Sequence, residues 1–164
     1  MPRREHPSTV VRLVDGELLG YPLAREEDCT VWIALPDGED EWEGLLGIRR
    51  SKNTAEIVSI PLFAYGLNLG DVVTTVQSVE GADVVSGLAS DGGNFTFRAL
   101  FPTESHPGQH WRRLMSDLEP YDCWFDTWSE TLVAVSVDES RSQAVADYLA
   151  SRESAGELRY ETGR

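Results

Sequence analysis

The chain has 164 residues, of which 28 are acidic and 14 basic, giving a net charge of −14. Apolar residues make up 41%, enough for a packed core and too many for a disordered chain. No apolar run approaches the ~18 residues of a membrane span, no long apolar stretch follows Met1-Pro2-Arg3-Arg4, so no secretory leader is expected, and Cys29 and Cys123 alone make neither a disulfide framework nor a four-thiolate zinc site.

Residues 1–9 are polar and are expected to fray. Val10 to Leu23 reads as a hairpin, because Asp15-Gly16 between two apolar runs favours a two-residue turn. Thr30–Leu35 is a strand stopped by Pro36-Asp37-Gly38. Strands follow around Glu43–Arg49 and Ala55–Ile60, the second ended by Pro61, which cannot donate to a ladder. Leu62 to Asp71 is a loop punctuated by Gly66 and Gly70. Val72–Val79 and Val84–Leu88 are strands joined by a turn. Short strands at regular spacing point to a small barrel or a strongly bent sheet.

The pattern changes after Asp91-Gly92-Gly93. Phe95, Phe97, Ala99 and Phe101 alternate with Thr96, Arg98 and Leu100, which predicts a strand. A helix runs from about Pro107 to Glu119, with Trp111, Leu114, Met115 and Leu118 on one stripe. Tyr121–Trp128 and Thr131–Val137 are strands. Ser140 and Gln143 have the spacing of a capping box for a second helix, whose stripe is Val145, Tyr148, Leu149 and Arg152. Gly156 sits at its C-terminal cap, and Glu157–Thr162 is a last strand. The expected fold is therefore α+β. A small barrel-like or bent antiparallel sheet (residues 1–91) packs on a C-terminal ferredoxin-like βαββαβ sandwich (residues 92–164). Each half is small enough that the two are expected to share a core.

Val31-Trp32-Ile33-Ala34, and more strongly the run from Ile60-Pro61-Leu62-Phe63 through Gly70-Asp71-Val72-Val73, resembles a bacterial family of domains of unknown function, DUF4265. Ser59 and Leu62 stand where that family usually has Asn and Phe. The resemblance implies the fold and a bacterial origin, and it implies no activity, cofactor or catalytic residue. Within the run, Gly70 is expected to take a turn conformation and Asp71 to accept nearby backbone N–H groups.

Catalytic motifs are sparse. No nucleophile-elbow or glycine-rich phosphate loop is present, and no cofactor is expected. Cys123 could approach His106 or His110, but its alternation with Tyr121 and Phe125 marks it as a small buried residue. His106 and His110, with Glu104 nearby, have two-ligand spacing and lack a clear third metal ligand. The acidic run Asp37–Glu41 lacks the order of a calcium loop and reads as a solvated turn. The even spread of acid argues against nucleic acid, and no membrane association is expected.

Tyr121–Trp128 is the most informative segment. If Cys123 and Phe125 meet the helices, then Asp122, Trp124, Asp126 and Trp128 face the other way, together with Arg98 from the neighbouring strand. Two tryptophans are too much apolar surface to leave wet. The first half of the chain, a second subunit or protein partner, or a flat ligand could cover them. The expectation is a cytoplasmic, non-enzymatic binding protein that uses Trp124, Trp128, Asp122, Asp126 and Arg98. Its partner would be a basic protein, as in an immunity-like or antitoxin-like role, with a homodimer as another form. The alternative is a small-molecule-binding regulatory domain that uses the same tryptophan face.

Overall fold

A computed structural model describes residues 3–5, 10–36, 38, 40–102 and 109–163. In chain order the strands are β1 (Arg3–Glu5), β2 (Val11–Val14), β3 (Glu17–Gly20), β4 (Cys29–Ala34), β5 (Trp42–Ser51), β6 (Thr54–Ile57), β7 (Val72–Gln77), β8 (Asp83–Ser90), β9 (Asn94–Leu100), β10 (Trp124–Thr127), β11 (Leu132–Asp138) and β12 (Arg159–Thr162). The helices are α1 (Gln109–Leu118) and α2 (Ser142–Ser154). Neither is long and apolar enough to cross a membrane.

Strands β4 to β8 form a closed five-stranded barrel. Consecutive strands pair antiparallel, and the ring closes where β4 meets β8 in parallel, Val31 opposite Asp83 and Trp32 opposite Val84. Alternation sends Val31, Leu45, Ala55, Ile57 and Val73 inward to one core. Trp32 points outward and lies across β5. A Cβ on Gly44 would fall 2.9 Å from the indole, so only glycine admits that ring position. The barrel matches the expected small β-unit, except that its closing pair is parallel. Arg3–Glu5, expected to fray, pairs in parallel with β5.

The second sheet has the order β12-β9-β11-β10-β2-β3, antiparallel throughout. Phe97, Phe125, Val133, Val135 and Val137 face the helices and meet Leu114, Met115 and Leu118 of α1 and Val145 and Leu149 of α2. The helix stripes and strand alternations predicted for residues 95–101 and 131–137 thus match the buried side.

Three expectations are corrected. The hairpin of β2 and β3, assigned to residues 1–91, belongs to the second sheet. Val11 pairs with Phe125, and Val11 and Leu13 pack on the helix-side core. Its Asp15-Gly16 turn has φ of 50° and 81°, the left-handed pair that a two-residue hairpin turn requires. The predicted strand 121–128 begins only at Trp124, because Glu119–Tyr121 form a 3-10 turn and Asp122 is left-handed, with φ of 54°. The capping box does not form. The Ser140 hydroxyl and N–H both donate to Asp138, at 2.5 and 2.9 Å, and the Gln143 amide donates to Asp147. Pro107 and part of the acidic run, Asp37 and Glu39, lie outside the described residues.

Barrel and sheet meet where the loop before β9 crosses the turn before β7. A Cβ on Gly92 would stand 2.4 Å from the carbonyl carbon of Gly70. Backbone cannot yield as a flexible side chain can, so Gly92→Ala is expected to cost about 1–3 kcal/mol. Thermal unfolding should then fall by roughly 2–4 °C per kcal/mol for a chain of this size. An unchanged melting temperature would contradict this close approach.

Candidate functional site

The sheet face turned away from the helices is built from alternate residues of four strands. Asp126, Ala134, Arg98 and Glu161 stand in one cross-strand row, and Leu132, Leu100 and Arg159 in the next. Residues 60–69 lie over this face. Ile60, Leu62 and Leu69 bury against Ala134 and Val10, with Phe63, Trp124, Trp128 and Tyr21 around them. Phe63 meets Trp128 edge-on at 5.0 Å, and Tyr21 meets Trp124 edge-on at 5.1 Å. The Arg12 guanidinium lies 5.2 Å from the Trp124 ring centre. The sequence leaves the cover open among three candidates, and the first half of the chain supplies it.

The cover is held from both sides. Glu43, 1% exposed, projects inward from β5. Its carboxylate accepts the backbone N–H groups of Leu62, Phe63 and Ala64 at 2.6, 3.0 and 2.9 Å. From the sheet, every second residue of β9 reaches into the cover. The Asn94 amide donates to the Leu69 carbonyl at 2.7 Å, and the Thr96 hydroxyl donates to the Asn68 side chain at 2.7 Å. The Arg98 guanidinium donates to the Pro61 carbonyl at 3.3 Å and to the Ala64 carbonyl. A carboxylate thus answers three N–H groups of one tight turn while a guanidinium answers two of its carbonyls, which offsets the cost of burying them.

Asp71 pins the far end of the cover. It accepts the N–H of Asn68 at 2.9 Å and of Gly92 at 2.8 Å, and Gly70 has φ of 87°, both as the sequence suggests. Burial pushes the Asp71 carboxyl above the ordinary value, against the pull of those two donors.

Each predicted site residue now has a place. Trp124 and Trp128 are half-buried, while Asp126 and Arg98 are 0% and 2% exposed. The face expected to await a partner is therefore largely an internal contact, because the cover occupies it. Asp122 is exposed at the end of that face. It precedes the strand and binds Arg12 and Arg141, each at 2.5 Å. Cys123 packs in the helix-side core, and burial pushes its thiol up to about 12; burial likewise pushes Cys29 up to about 11. Both thiols stay protonated near neutrality and are poor nucleophiles. His110 stacks on Phe101 at 5.1 Å, while Glu104 and His106 lie outside the described residues. Among the described residues no three His, Cys, Asp or Glu side chains converge as a metal site.

Two of the hollows on the surface are mainly apolar and carry aromatic side chains. At the end of the sheet face that the cover leaves open is a groove of about 370 Å³, walled by Leu62, Phe63, Leu100 and Leu132 and flanked by Arg159 and Glu161. On the outer wall of the barrel, Trp32, Trp42, Val79 and Val84 line an apolar hollow of about 290 Å³ with Glu80 at its edge. Val79, at the β7–β8 turn, is fully exposed, and Val76, opposite Val84 in the register, is 56% exposed. The Trp42 indole N–H is shielded from solvent and has no acceptor among the described residues. Sequence reasoning missed Glu43 and this barrel patch. For the patch, Trp32 and Trp42 on the outward phase of β4 and β5 were the available signal.

Residues 43–160 match the family model of DUF4265, a domain of unknown function. The chain belongs to DUF4265. Its fold is similar to a solved structure, "Novel crystal structure of a hypothetical protein from Neisseria gonorrhoeae", with a TM-score of 0.70 at 20% identity. That match covers 82% of this chain and 93% of the other. Among curated proteins nothing matches the chain.

Two outcomes test the arrangement in this DUF4265 chain. Glu43→Gln leaves a single acceptor oxygen and turns an amide NH2 toward N–H groups. It should lower unfolding stability by about 1.5–3 kcal/mol, read from urea midpoints. Asp122 is held below the ordinary carboxylate range by its hydrogen bond from Arg141 and by the nearby Arg12 charge. Its stabilising effect is thus present above the unfolded-state value and fades as the pH falls through the lower folded-state value. Asp122→Asn keeps a side chain that tolerates the left-handed backbone. It should destabilise the protein modestly at pH 7 and not at all in strong acid, as followed by urea unfolding at both pH values.

Proposed function

We propose that this chain is a non-enzymatic binding protein whose partner is another protein with a basic surface and an apolar tip. The outward patch on the barrel carries the reading. Two tryptophans and two exposed valines on the outer side of the barrel, with a shielded indole donor that has no acceptor among the described residues, have the make-up of a binding hot spot. Glu80 at the edge of the hollow and the net charge of −14 favour a cationic partner and speed its approach. A second copy would bring the same −14, so the charge favours a different protein over a homodimer.

The strand order β12-β9-β11-β10, with helices α1 and α2 on one face, supports the finer reading of residues 92–164 as a ferredoxin-like unit. In this reading the unit is a scaffold, since its open face is spent on the chain's own cover.

The test uses tagged full-length protein, partner capture from a lysate of the source organism, and titration of the purified partner. Val79→Asp replaces an exposed side chain and should leave the thermal melt unchanged while weakening binding by at least about tenfold, a typical hot-spot loss. Binding should also weaken as salt rises. A partner that binds Val79→Asp and Trp42→Ala as tightly as the native chain would overturn the assignment to this patch.

A further inference from the structure

We propose that the groove between residues 62–63 and β12 binds a small monocarboxylate with an apolar body. This site is separate from the barrel patch and does not rest on it. The argument begins with charge. Among the groove's ionised groups, Arg98 and Glu161 neutralise one another, Nη1 to Oε1 at 3.2 Å. The other Glu161 oxygen accepts the Tyr65 hydroxyl at 3.1 Å. Arg159 is exposed, and among the described residues no side chain forms an ion pair or a hydrogen bond with it. In a chain with twice as many acids as bases, one cation is thus left uncompensated, and it stands at the rim of an apolar trough.

The trough explains the rest of the ligand. Leu100 is 47% exposed, and Leu132 beside it in the register is half-buried. The cover protects this same sheet face over its other rows and stops short here. A volume of about 370 Å³ lies within the range of small-molecule sites. An apolar body would replace water over the two leucines and Phe63, while the planar fork of Arg159 pairs with two carboxylate oxygens.

One free cation suits one negative charge. A phosphate dianion would bring a second charge with no second free cation to meet it, and an amine would face Arg159 directly. The distant acidic surface is screened beyond about 8 Å at physiological salt, so the local charge governs the site.

Octanoate is the probe, titrated into the isotopically labelled full-length protein and followed by amide chemical shifts. Saturable shifts are expected at residues 62–63, 100, 132 and 159–161. Octanamide, which keeps the body and loses the charge, and Arg159→Gln should each bind at least about fivefold more weakly, the loss of one charge-assisted pair. Leu100→Ser should weaken octanoate similarly through the apolar wall. Arg50→Ala, at an exposed ion pair on the barrel with Glu56, should change nothing. Melting curves confirm folding of each variant. Absence of saturable shifts, or a loss of less than about fivefold for both octanamide and Arg159→Gln, would overturn the proposal.

Discussion

A turn of backbone at residues 61–64 lies buried between two layers, and the rest of the molecule is arranged around its satisfaction. Buried N–H and C=O groups without partners cost about 1–3 kcal/mol each. Here the partners come from opposite sides: Glu43 takes three donors, and Arg98 supplies two acceptors with hydrogens. Each ion is itself buried, and burying a lone charge is costly. Joined through the turn, they make barrel and sheet one body. Asn94 and Thr96 extend the same logic along β9, where residues in the polar phase of a strand serve as hooks.

The helix-side architecture was legible because a single rule governs it. Phe95, Phe97, Val133, Val135 and Val137 alternate with smaller or polar residues, and the helical stripes supply matching apolar surface. The barrel strands and the Asp15-Gly16 turn followed from equally local signals. The cover was harder to read. Glu43 opens a predicted strand just past an acidic run, while its partners are backbone groups 19 to 21 positions away, which no side-chain pattern announces. Arg98 was placed on the correct face, but its role came from the carbonyls above it. Asp122 falls outside the strand for a local reason: the turn around Pro120 breaks the alternation before the strand begins. Ser140 failed because Asp138 had already engaged its hydroxyl.

The surface divides by chemistry once the cover is in place. The barrel wall offers a broad apolar patch near acid, suited to a large partner. The groove beside β12 is narrow and apolar with one unanswered cation, suited to a small one. Each is anchored by strand residues, Trp32, Trp42 and Val84 in one and Leu100, Leu132 and Arg159 in the other, and strands fix side-chain positions better than loops do. Trp124 and Trp128 invited a binding role by their size, yet their partners are Tyr21 and Phe63 of the same chain.

The sheet membership of β2 and β3 bears on how the protein is made. Their docking edge, β10, is synthesised late: Arg12 and its partner Asp122 are 110 positions apart. During translation the barrel strands emerge complete while the early hairpin still lacks its neighbour. Leu18 and Leu19 then sit on a two-stranded ribbon, a form that is marginal alone in water. The ribbon must wait through the whole barrel before it can dock, so the last sheet to close draws on the first residues made. Such long-range pairing slows folding and lengthens the time that strand edges stay exposed. A cut after the barrel would therefore strand the hairpin on the wrong fragment, leaving β10 as a bare edge in the other.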